Sequence, residues 1–384
     1  MNPVSLTALE EQLLSACFAP AADAHEALRR CFSELAGAEL EPGAMQLLPL
    51  VYRRWPAVEN EAVELGRRAY LATWQRNRQR MAQLGEIAAR FRESGIPWMA
   101  LKGAALLLRH YADFGLRGMT DLDILIHAED LGSAALLLNR AGYRAEEDAT
   151  PDAIRRQARV RHAWQFFGEP DWNFDLHWRP LSRCYSPEVT RLFWEGAETV
   201  RFEDQDILVP SPTDQLFHVS VHGLQWEWTR KIHWIGDALS ILREPVNWER
   251  VCHLAAQAEM SFRLGNALSF LYERFRAPIP VGLPGRLSRS APKWERREYR
   301  LLMKPCPLGV YDSVAWHAYH FRRIRPFDGS WRRTSLGIAF PKYLAAFLDA
   351  RGLRCLCRKL WPHLNLRIQQ ALRRALPAGV QRER

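Results

Sequence analysis

Two acidic residues separated by one position, Asp121 and Asp123, are the strongest candidates for chemistry in this sequence. They stand at the start of an apolar run of strand length, Asp-Leu-Asp-Ile-Leu-Ile. In a strand, residues two apart project from the same side, with Leu122 and Ile124 turned into the core. Carboxylates that close repel each other unless a cation or protons intervene, and Mg²⁺ favours such oxygen ligands. The pair predicts a divalent metal site, although Asp-x-Asp alone also occurs in solvated loops.

A third acidic residue, Asp175, interrupts a second apolar run, Trp-Asn-Phe-Asp-Leu-His-Trp. A buried carboxylate needs a cation or hydrogen-bond donors. If its strand lies beside that of Asp121 and Asp123, three carboxylates converge and suit two metal ions about 3.5–4 Å apart, as in phosphoryl transfer. Asp175 would then help to deprotonate an acceptor hydroxyl. The alternative is an ion pair with a nearby arginine.

Residues Lys102, Gly103 and Ala104 are candidates for phosphate binding. They end one predicted strand and open a helix, where free backbone N–H groups can hold an anion. Arg117 is a further candidate for contact with a triphosphate, and His177 lies on the same strand face as Asp175. The alternatives are an ordinary turn at Gly103, a salt bridge of Arg117 to one of the aspartates, and a structural role for His177.

These candidates lie in residues 96–180, which are predicted to form a small α+β unit with a mixed sheet. The predicted order is strand, helix, strand, helix, strand and a final hairpin. The corresponding segments are IPWMALKG, AALLLRHYADF, LDILIH, AEDLGSAALLLNRAG, YRAEE, and the pair HAWQFFG and WNFDLHW.

Helical regions are expected on both sides of this unit. Residues 1–95 have apolar residues at spacings of three and four, and residues 181–277 are predicted to be mostly helical and to complete a cleft. Residues 278–292 are rich in Pro and Gly and are the best linker candidate. Residues 278–384 are thus expected to be a linker followed by a basic, mostly helical region.

Charge is distributed unevenly along the chain. The segment from Arg286 to the end holds 22 Lys and Arg against 6 Asp and Glu, whereas the preceding 285 residues hold 31 against 37. A basic surface of this kind attracts polyanions such as nucleic acid, anionic membrane or phosphorylated substrate. The alternative is a solvated basic face without a dedicated partner.

No apolar run approaches the roughly eighteen residues of a membrane-spanning helix, and no basic segment followed by an apolar one marks a signal peptide at the start. The seven cysteines are an odd, scattered set rather than a disulfide framework. We therefore expect a cytoplasmic location.

Weaker candidates lie outside residues 96–180. His218 and His222 have the spacing of a zinc-binding pair on a helix, but no glutamate follows His218 and no third ligand is evident. Lys231 and Asp237 are candidates to face the cleft. The pair Cys355 and Cys357 is expected to be two packed thiols.

The order and spacing of these motifs resemble the nucleotidyltransferase superfamily, with its DNA polymerase beta-like core, and within it the bacterial family of uncharacterised nucleotidyltransferases. The family pattern is lysine-glycine, a helix with a tyrosine, an arginine, Asp-[Ile/Leu]-Asp, a helix ending in Gly-Tyr, and Asp-Leu-His-Trp. This sequence supplies LKGAALLLRHY, RGMTDLDILI, LLLNRAGY and FDLHW, and matches more loosely through DQLFHVSVHG and HWIGDALSIL. One departure is Ala104, where many superfamily members have a phosphate-binding serine.

The resemblance implies a magnesium- or manganese-dependent enzyme that moves a nucleoside monophosphate from a nucleoside triphosphate, ATP included, to an acceptor hydroxyl. Asp121, Asp123 and Asp175 would hold metal, and Lys102, Gly103, Ala104, Arg117 and His177 would contact the nucleotide. The acceptor would be a small molecule, a protein or an RNA. The alternatives are a catalytically silent binding or regulatory protein with this fold, and a nucleic-acid-binding protein acting through its basic C-terminal region.

Overall fold

The computed structural model describes residues 6–35, 40–58, 61–146, 150–169, 172–224, 232–304 and 310–348. Every helix within these ranges is too short or too polar to cross a lipid bilayer. Residues 349–384, which include much of the basic tail with Cys355 and Cys357, lie outside the described residues, as does Lys231.

The first part of the chain is helical, as predicted. Thr7 and Glu10 form a capping box at the start of the first helix, and Gly95, with a left-handed φ of 66°, follows the last one. The helices are α1 (Ala8–Phe18), α2 (Ala21–Leu35), α3 (Pro42–Arg54) and the long α4 (Glu61–Glu93).

The α+β unit follows with the predicted order of strands and helices, plus one helix that the sequence analysis missed. Its elements are β1 (Trp98–Ala100), α5 (Lys102–Leu106) with a π-helical turn (Leu107–Tyr111), β2 (Leu122–Ile126), a 3-10 turn (Ala128–Asp130), α6 (Leu131–Arg140), β3 (Arg144–Ala145), α7 (Pro151–Val160), β4 (Ala163–Phe167) and β5 (Phe174–His177). The missed helix is α7, in a stretch that the sequence analysis assigned to no element. Thr150 caps it by accepting a hydrogen bond from the Ala153 amide, and Pro151 occupies its first position.

The five strands form one mixed sheet in the order β1-β2-β5-β4-β3. Strands β2 and β5 are parallel, whereas the other neighbouring pairs are antiparallel. The predicted hairpin of β4 and β5 is confirmed. The mixed α+β fold with flanking helices is therefore the one that the sequence predicted.

The two faces of β2 are covered differently. Leu122, Ile124 and Ile126 belong to a core with α4, α5 and α6. On the other face, Leu125 packs with Met99 and Leu101 of the β1 region, next to residues of a second, two-stranded sheet. Because the far end of this face is closed by apolar side chains, only the end of β2 that carries the aspartates is left for polar chemistry.

A two-stranded sheet that the sequence did not predict adds to the mostly helical structure after residue 181. After α8 (Pro187–Glu195), strands β6 (Ala197–Phe202) and β7 (Gln205–Pro210) pair antiparallel. Residues Val200 and Phe202 pack towards the core of the α+β unit, whereas Arg201 between them is exposed. This alternation of apolar and polar residues is the period of a strand rather than of a helix.

The remaining described residues are helical. They form α9 (Pro212–Gly223), α10 (His233–Ile241), α11 (Trp248–Gln257), α12 (Ser261–Phe275), α13 (Leu283–Ser290), α14 (Lys293–Leu302), α15 (Val310–Ile324), a 3-10 turn (Arg325–Phe327), α16 (Gly329–Arg332) and α17 (Leu336–Phe347). The expected linker, residues 278–292, contains α13, which contacts α12. Leu283 and Leu287 lie one helical turn apart and are buried, which explains why a segment rich in Pro and Gly is packed here.

One hydrophobic core joins the N-terminal helices to the helices that follow the mixed sheet. It contains Leu13 and Leu47 of the N-terminal helices together with Phe217, Ile235 and Leu268 from α9, α10 and α12. The sequence analysis placed these helices in separate regions, 1–95 and 181–277. That division stays a prediction, but the two sets of helices pack around the same core.

Gly265 lets α12 and α13 approach closely, which gives a test of this packing. A Cβ at this position would lie 2.9 Å from the Pro284 carbonyl oxygen and 3.1 Å from the Ser288 amide nitrogen. We expect Gly265→Ala to lower the free energy of unfolding by about 2 kcal/mol, because backbone atoms cannot move aside cheaply. Gly132→Ala, in open space on α6, should be neutral or stabilising. Urea unfolding measures both, and an equal effect of the two substitutions would contradict the packing.

Candidate active site

Asp123 and Asp175 lie side by side at the centre of the mixed sheet. They are direct partners in the parallel pairing of β2 and β5, and Leu125 and His177 are partners two residues further on. Paired residues of neighbouring strands project from the same face of the sheet. The nearest ligand atoms of Asp123, Asp175 and His177 all lie within 4.8 Å of one another. The neighbouring strands thus bring together two carboxylates and an imidazole, donors that a divalent metal accepts.

Asp121 lies just before β2 and is half-buried. Its Oδ1 accepts a hydrogen bond of 2.9 Å from the Thr120 hydroxyl. The sequence predicted Asp121 as the third metal ligand beside Asp123 and Asp175. Among the described residues, the third member of the close group suited to metal is instead His177. Asp121 and Asp123 nevertheless line the same cavity, so Asp121 adds negative charge beside this group.

The Lys102 ammonium occupies the position next to Asp123. Its Nζ donates a hydrogen bond of 2.6 Å to Asp123 Oδ1, and His177 Nε2 is 2.9 Å from the same oxygen. Asp123 is only 3% exposed, so both contacts act in a poorly solvated environment. Within the described part of the chain, no protein donor binds Oδ2 of Asp123. Lys102 therefore neutralises one carboxylate while leaving an oxygen of it for another cation.

These contacts shift the acidities of the group in opposite directions. Burial raises the pKa of Asp123, but the Lys102 charge and the hydrogen bond from His177 outweigh burial and hold it well below its usual range. Burial lowers the pKa of Lys102, and the charge of Asp123 more than offsets this, leaving it above the ordinary value. Burial, followed by the charge of Asp123, raises the pKa of Asp175. Asp175 is thus the carboxylate that most readily takes up a proton.

A first cavity of about 200 Å³ opens beside Asp123. Its walls come from the α+β unit, from α9 and α10, and from Gln46 of the N-terminal helix α3. Lining residues on the side of the α+β unit include Lys102, Gly103, Arg117, Asp121 and Asp123, and those on the helical side include His218, His222, His233, Trp234 and Asp237. Residues of α9 and α10 thus form one wall of this cavity, while the assignment of residues 181–277 as a domain that completes the cleft stays a prediction.

Arg117 lines the cavity but is tied to the helical wall. Its Nε and Nη2 donate hydrogen bonds of 3.1 Å each to the carboxylate of Asp237, which also accepts a hydrogen bond of 2.9 Å from the Tyr111 hydroxyl. From the sequence, the alternative role of Arg117 is a salt bridge to one of the candidate aspartates. The observed partner, Asp237, was itself only a weaker candidate to face the cleft.

Gly103 is in helical conformation, and the left-handed residue of this turn is Lys102, with a φ of 43°. A Cβ at Gly103 would lie 2.6 Å from Met119 Cγ and 2.7 Å from Arg117 Nη1. The glycine is therefore required for close approach of other side chains rather than for its backbone angles. Ala104 is buried and does not line the cavity, so its predicted contact with phosphate stays a prediction.

His218 is a buried histidine in the wall of the first cavity. Burial and the positive charge of Lys102 lower its pKa to about 3, so it is neutral at physiological pH. Its Nε2 has no hydrogen-bond partner among the described residues. His218 and His222 thus lie in the cavity wall, whereas the cluster suited to metal within the described chain is that of Asp123, Asp175 and His177.

Asp175 lines a second, larger cavity of about 490 Å³. Gln165, its antiparallel partner on β4, lines this cavity too, as does His162, whose ring lies edge-on to His177. Burial and then the charge of His177 hold the pKa of His162 well below its ordinary value. The paired aspartates therefore stand between two cavities, with Asp123 lining the first and Asp175 the second.

Sequence comparison agrees with the motifs. A family model described as "Uncharacterised nucleotidyltransferase" matches residues 43–276. The chain belongs to this family. The matched segment contains the aspartates and the entire lining of the first cavity, but not the helices α14, α15 and α17 that contribute to the second. No curated protein and no solved structure matches the chain.

Sequence analysis missed Gln46, His162 and Trp234. Gln46 and Trp234 come from distant helices, and only their helical periodicity was visible in the sequence. His162 starts the predicted strand HAWQFFG and had no second feature that singled it out. Trp234 lies in HWIGDALSIL, a segment that resembles the family, but nothing in that segment marked the tryptophan itself, and Gln46 and His162 lie in no quoted family motif.

Opposite effects on stability are expected for the two paired aspartates in metal-free protein. Asp123→Asn should lower the free energy of unfolding by about 3 kcal/mol near neutral pH, because Lys102 loses its buried partner. Asp175→Asn should raise it, because the folded protein disfavours the charge of Asp175. Urea unfolding in a chelator measures both, with the exposed Asp206→Asn as a control that should change little.

The pH dependence separates these two effects. A raised folded-state pKa destabilises the protein above that pKa, so the gain in Asp175→Asn should fade as the pH drops to the ordinary aspartate value of about 4. A lowered folded-state pKa stabilises the protein above the ordinary value, so the loss in Asp123→Asn should persist down to about that pH. Equal destabilisation by both substitutions across this range would contradict the assigned electrostatics.

Proposed function

We propose that this protein transfers a nucleoside monophosphate from a nucleoside triphosphate to the hydroxyl of an acceptor and releases pyrophosphate. The observation that carries the proposal is the direct pairing of Asp123 with Asp175 on parallel strands, next to Lys102 and a cavity. Membership of a nucleotidyltransferase family supports the reaction class.

The donor chemistry of the group fits a divalent metal such as Mg²⁺ or Mn²⁺. Asp121, Asp123 and Asp175 supply carboxylate oxygens, and within the described ranges Lys102 is the lysine that pairs with this group, through Asp123. When bound, the metal would offset charge on the α-phosphate and make the acceptor hydroxyl easier to deprotonate. His177, hydrogen-bonded to Asp123, would orient that carboxylate.

The two cavities suggest a division of substrates. The nucleotide would occupy the first cavity, where Lys102 and Arg117 supply positive charge and Gly103 leaves space. Binding of a metal at Asp123 would free the Lys102 ammonium for phosphate oxygens in the same cavity. Asp175, with its raised pKa, would accept the proton of the acceptor hydroxyl. The acceptor oxygen would bond to the α-phosphorus as the bond to the bridging oxygen breaks and pyrophosphate leaves.

Nucleotide binding tests the proposal without knowledge of the acceptor. We expect Asp121→Asn and Asp175→Asn to weaken Mg·NTP binding at least about tenfold, equivalent to roughly 1.4 kcal/mol, because each removes a negative charge beside the metal. Titration calorimetry with each of the four NTPs, with Mg²⁺ or with a chelator, measures this. Asp206→Asn, which changes an exposed carboxylate far from either cavity lining, is the matched control.

Equal affinity of wild type and the two site variants would contradict the metal assignment. Incubation with labelled NTP, Mg²⁺ or Mn²⁺ and a cell extract then tests transfer. Label retained on an extract fraction by wild type and lost with Asp175→Asn supports the enzyme. Tight Mg·NTP binding without transfer to any fraction would favour the catalytically silent alternative.

A further inference from the structure

The second cavity is bounded by both the α+β unit and the C-terminal helices. Asp175 and Gln165 come from the sheet, Arg183 and Tyr185 from the chain after β5, and Trp316 and His320 from α15. Its volume of about 490 Å³ lies in the range of small-molecule sites. Because Asp175 is also part of the metal-ligand group, a molecule in this cavity would lie next to the reaction centre.

Arg183 is a buried cation whose hydrogen-bonding capacity is only partly used. Its side chain is 7% exposed, and its Nη2 donates a hydrogen bond of 2.6 Å to Glu298 Oε1. The guanidinium carbon lies 4.8 Å from the centre of the Trp316 ring. Its Nε and Nη1 have no acceptor among the described residues. Hydrogen-bond donors without acceptors on a buried charge are unfavourable. An anionic ligand that accepted hydrogen bonds from Arg183 would therefore stabilise it.

Buried arginines outnumber the ionised buried glutamates around Arg183, while the carboxylates of Asp175 and Glu146 also line the cavity. Arg323 shares Glu298 with it, and Arg263 is buried nearby with a pKa lowered by burial to about 10, so it remains protonated. Of the buried acids, Glu298 is ionised, whereas burial raises the pKa of Glu295 to about 7. Glu259, 3.9 Å from Arg323, is half exposed and its charge is screened by solvent. The cluster therefore favours a bound anion.

His320 adds a neutral acceptor to the same cavity. The Tyr185 hydroxyl donates a hydrogen bond of 2.6 Å to the Val160 carbonyl and also contacts His320 Nε2. A phenol has one hydrogen, so Nε2 must be the protonated nitrogen and Nδ1 the acceptor. Burial and the charge of Arg183 keep the pKa of His320 well below its ordinary value, so this neutral tautomer persists. Nδ1 has no partner among the described residues.

We propose that the second cavity binds the acceptor, a small alcohol that also carries a phosphate or carboxylate group. The inference rests on the proposed function and names the class of its second substrate. The anionic group would pair with Arg183, and the hydroxyl would face Asp175, which takes its proton as the oxygen bonds to the α-phosphorus. Proteins and RNA are excluded by this assignment. Helix α15 lies outside the family match, so this wall is a feature by which acceptors would differ within the family.

Small anions test the pocket directly. We expect inorganic phosphate or acetate to slow amide exchange in residues 182–186 and 314–321, measured by mass spectrometry on the whole protein. Arg183→Gln should weaken that binding at least tenfold. Arg263→Gln, which alters the same buried arginine cluster but lines neither cavity, should weaken it severalfold less than Arg183→Gln does, because the Arg263 side chain does not reach the anion. Protection confined to residues 102–106, no binding of either anion, or equal effects of both substitutions would overturn the proposal.

The acceptor role is tested in the transfer reaction. Labelled NTP, Mg²⁺ and the small-molecule fraction of an extract are incubated with wild type, Arg183→Gln and Arg263→Gln. Arg183→Gln should lower labelling at least tenfold at unchanged Mg·NTP affinity, and Arg263→Gln should lower it severalfold less. Pretreating the extract with a phosphatase, removed before the reaction, separates the two anions, since loss of labelling indicates a phosphate and its retention a carboxylate.

Two further results complete the test. If Arg183→Gln fails to fold, Ala163→Leu is the substitute, because Ala163 lines the cavity without taking part in the ion pairs; it should lower labelling and leave Mg·NTP affinity unchanged. Labelling found only on protein or RNA would overturn the assignment while leaving the proposed function intact. Anion binding at Arg183 in a protein that binds no Mg·NTP would instead overturn the acceptor role together with the proposed function.

Discussion

Repulsion between two carboxylates on adjacent parallel strands is the constraint around which this protein is built. Asp123 and Asp175 are fixed opposite each other by the backbone hydrogen bonds of β2 and β5, so they cannot separate without loss of sheet pairing. Lys102 relieves part of the repulsion by pairing with Asp123. Burial, together with the charge of Asp123, leaves Asp175 with a raised pKa. A group in this state has an energetic preference for a second cation or a proton, which is the property that phosphoryl transfer needs.

The surrounding side chains confine this preference for a cation or a proton to one end of the sheet face. Apolar side chains close the far end of the same sheet face at Leu125, while Arg117 and Asp237 tie the α+β unit to the helical wall of the first cavity. The carboxylate pair lies between two cavities. All lining residues of the smaller cavity fall within the family match, whereas α15 and α17 form part of the wall of the larger one. A reaction between two substrates would thus take place across the pair, with each substrate approaching from its own side.

Much of the fold and the centre of the site could be predicted from the sequence, for identifiable reasons. Asp123 and Asp175 each interrupt an apolar run of strand length, and a carboxylate in such a run requires a partner. The partners themselves could not be predicted. Lys102 and Asp123 are 21 positions apart and Arg117 and Asp237 are 120 apart, so only the tertiary packing decides these pairings.

The elements that sequence analysis missed have related explanations. Helix α7 is so polar that its few apolar residues did not suggest a helix, and its Thr-Pro start was the available indication. Strands β6 and β7 are short and half exposed, which weakens their periodicity. Helix α13 was hidden by its prolines and glycines, although Leu283 and Leu287 show the spacing of one buried helical turn. In each case a local indication existed, but composition outweighed it.

The common core of the N-terminal helices and the helices after the sheet has a consequence for how the molecule can be divided. The family match begins at residue 43, yet Leu13, Leu14 and Cys17 of α1 are buried in that core. A shortened version that starts where the family begins would expose this apolar surface to water and invite aggregation. The boundary of family resemblance is therefore not a boundary of autonomous folding, and a minimal folded fragment would have to retain α1.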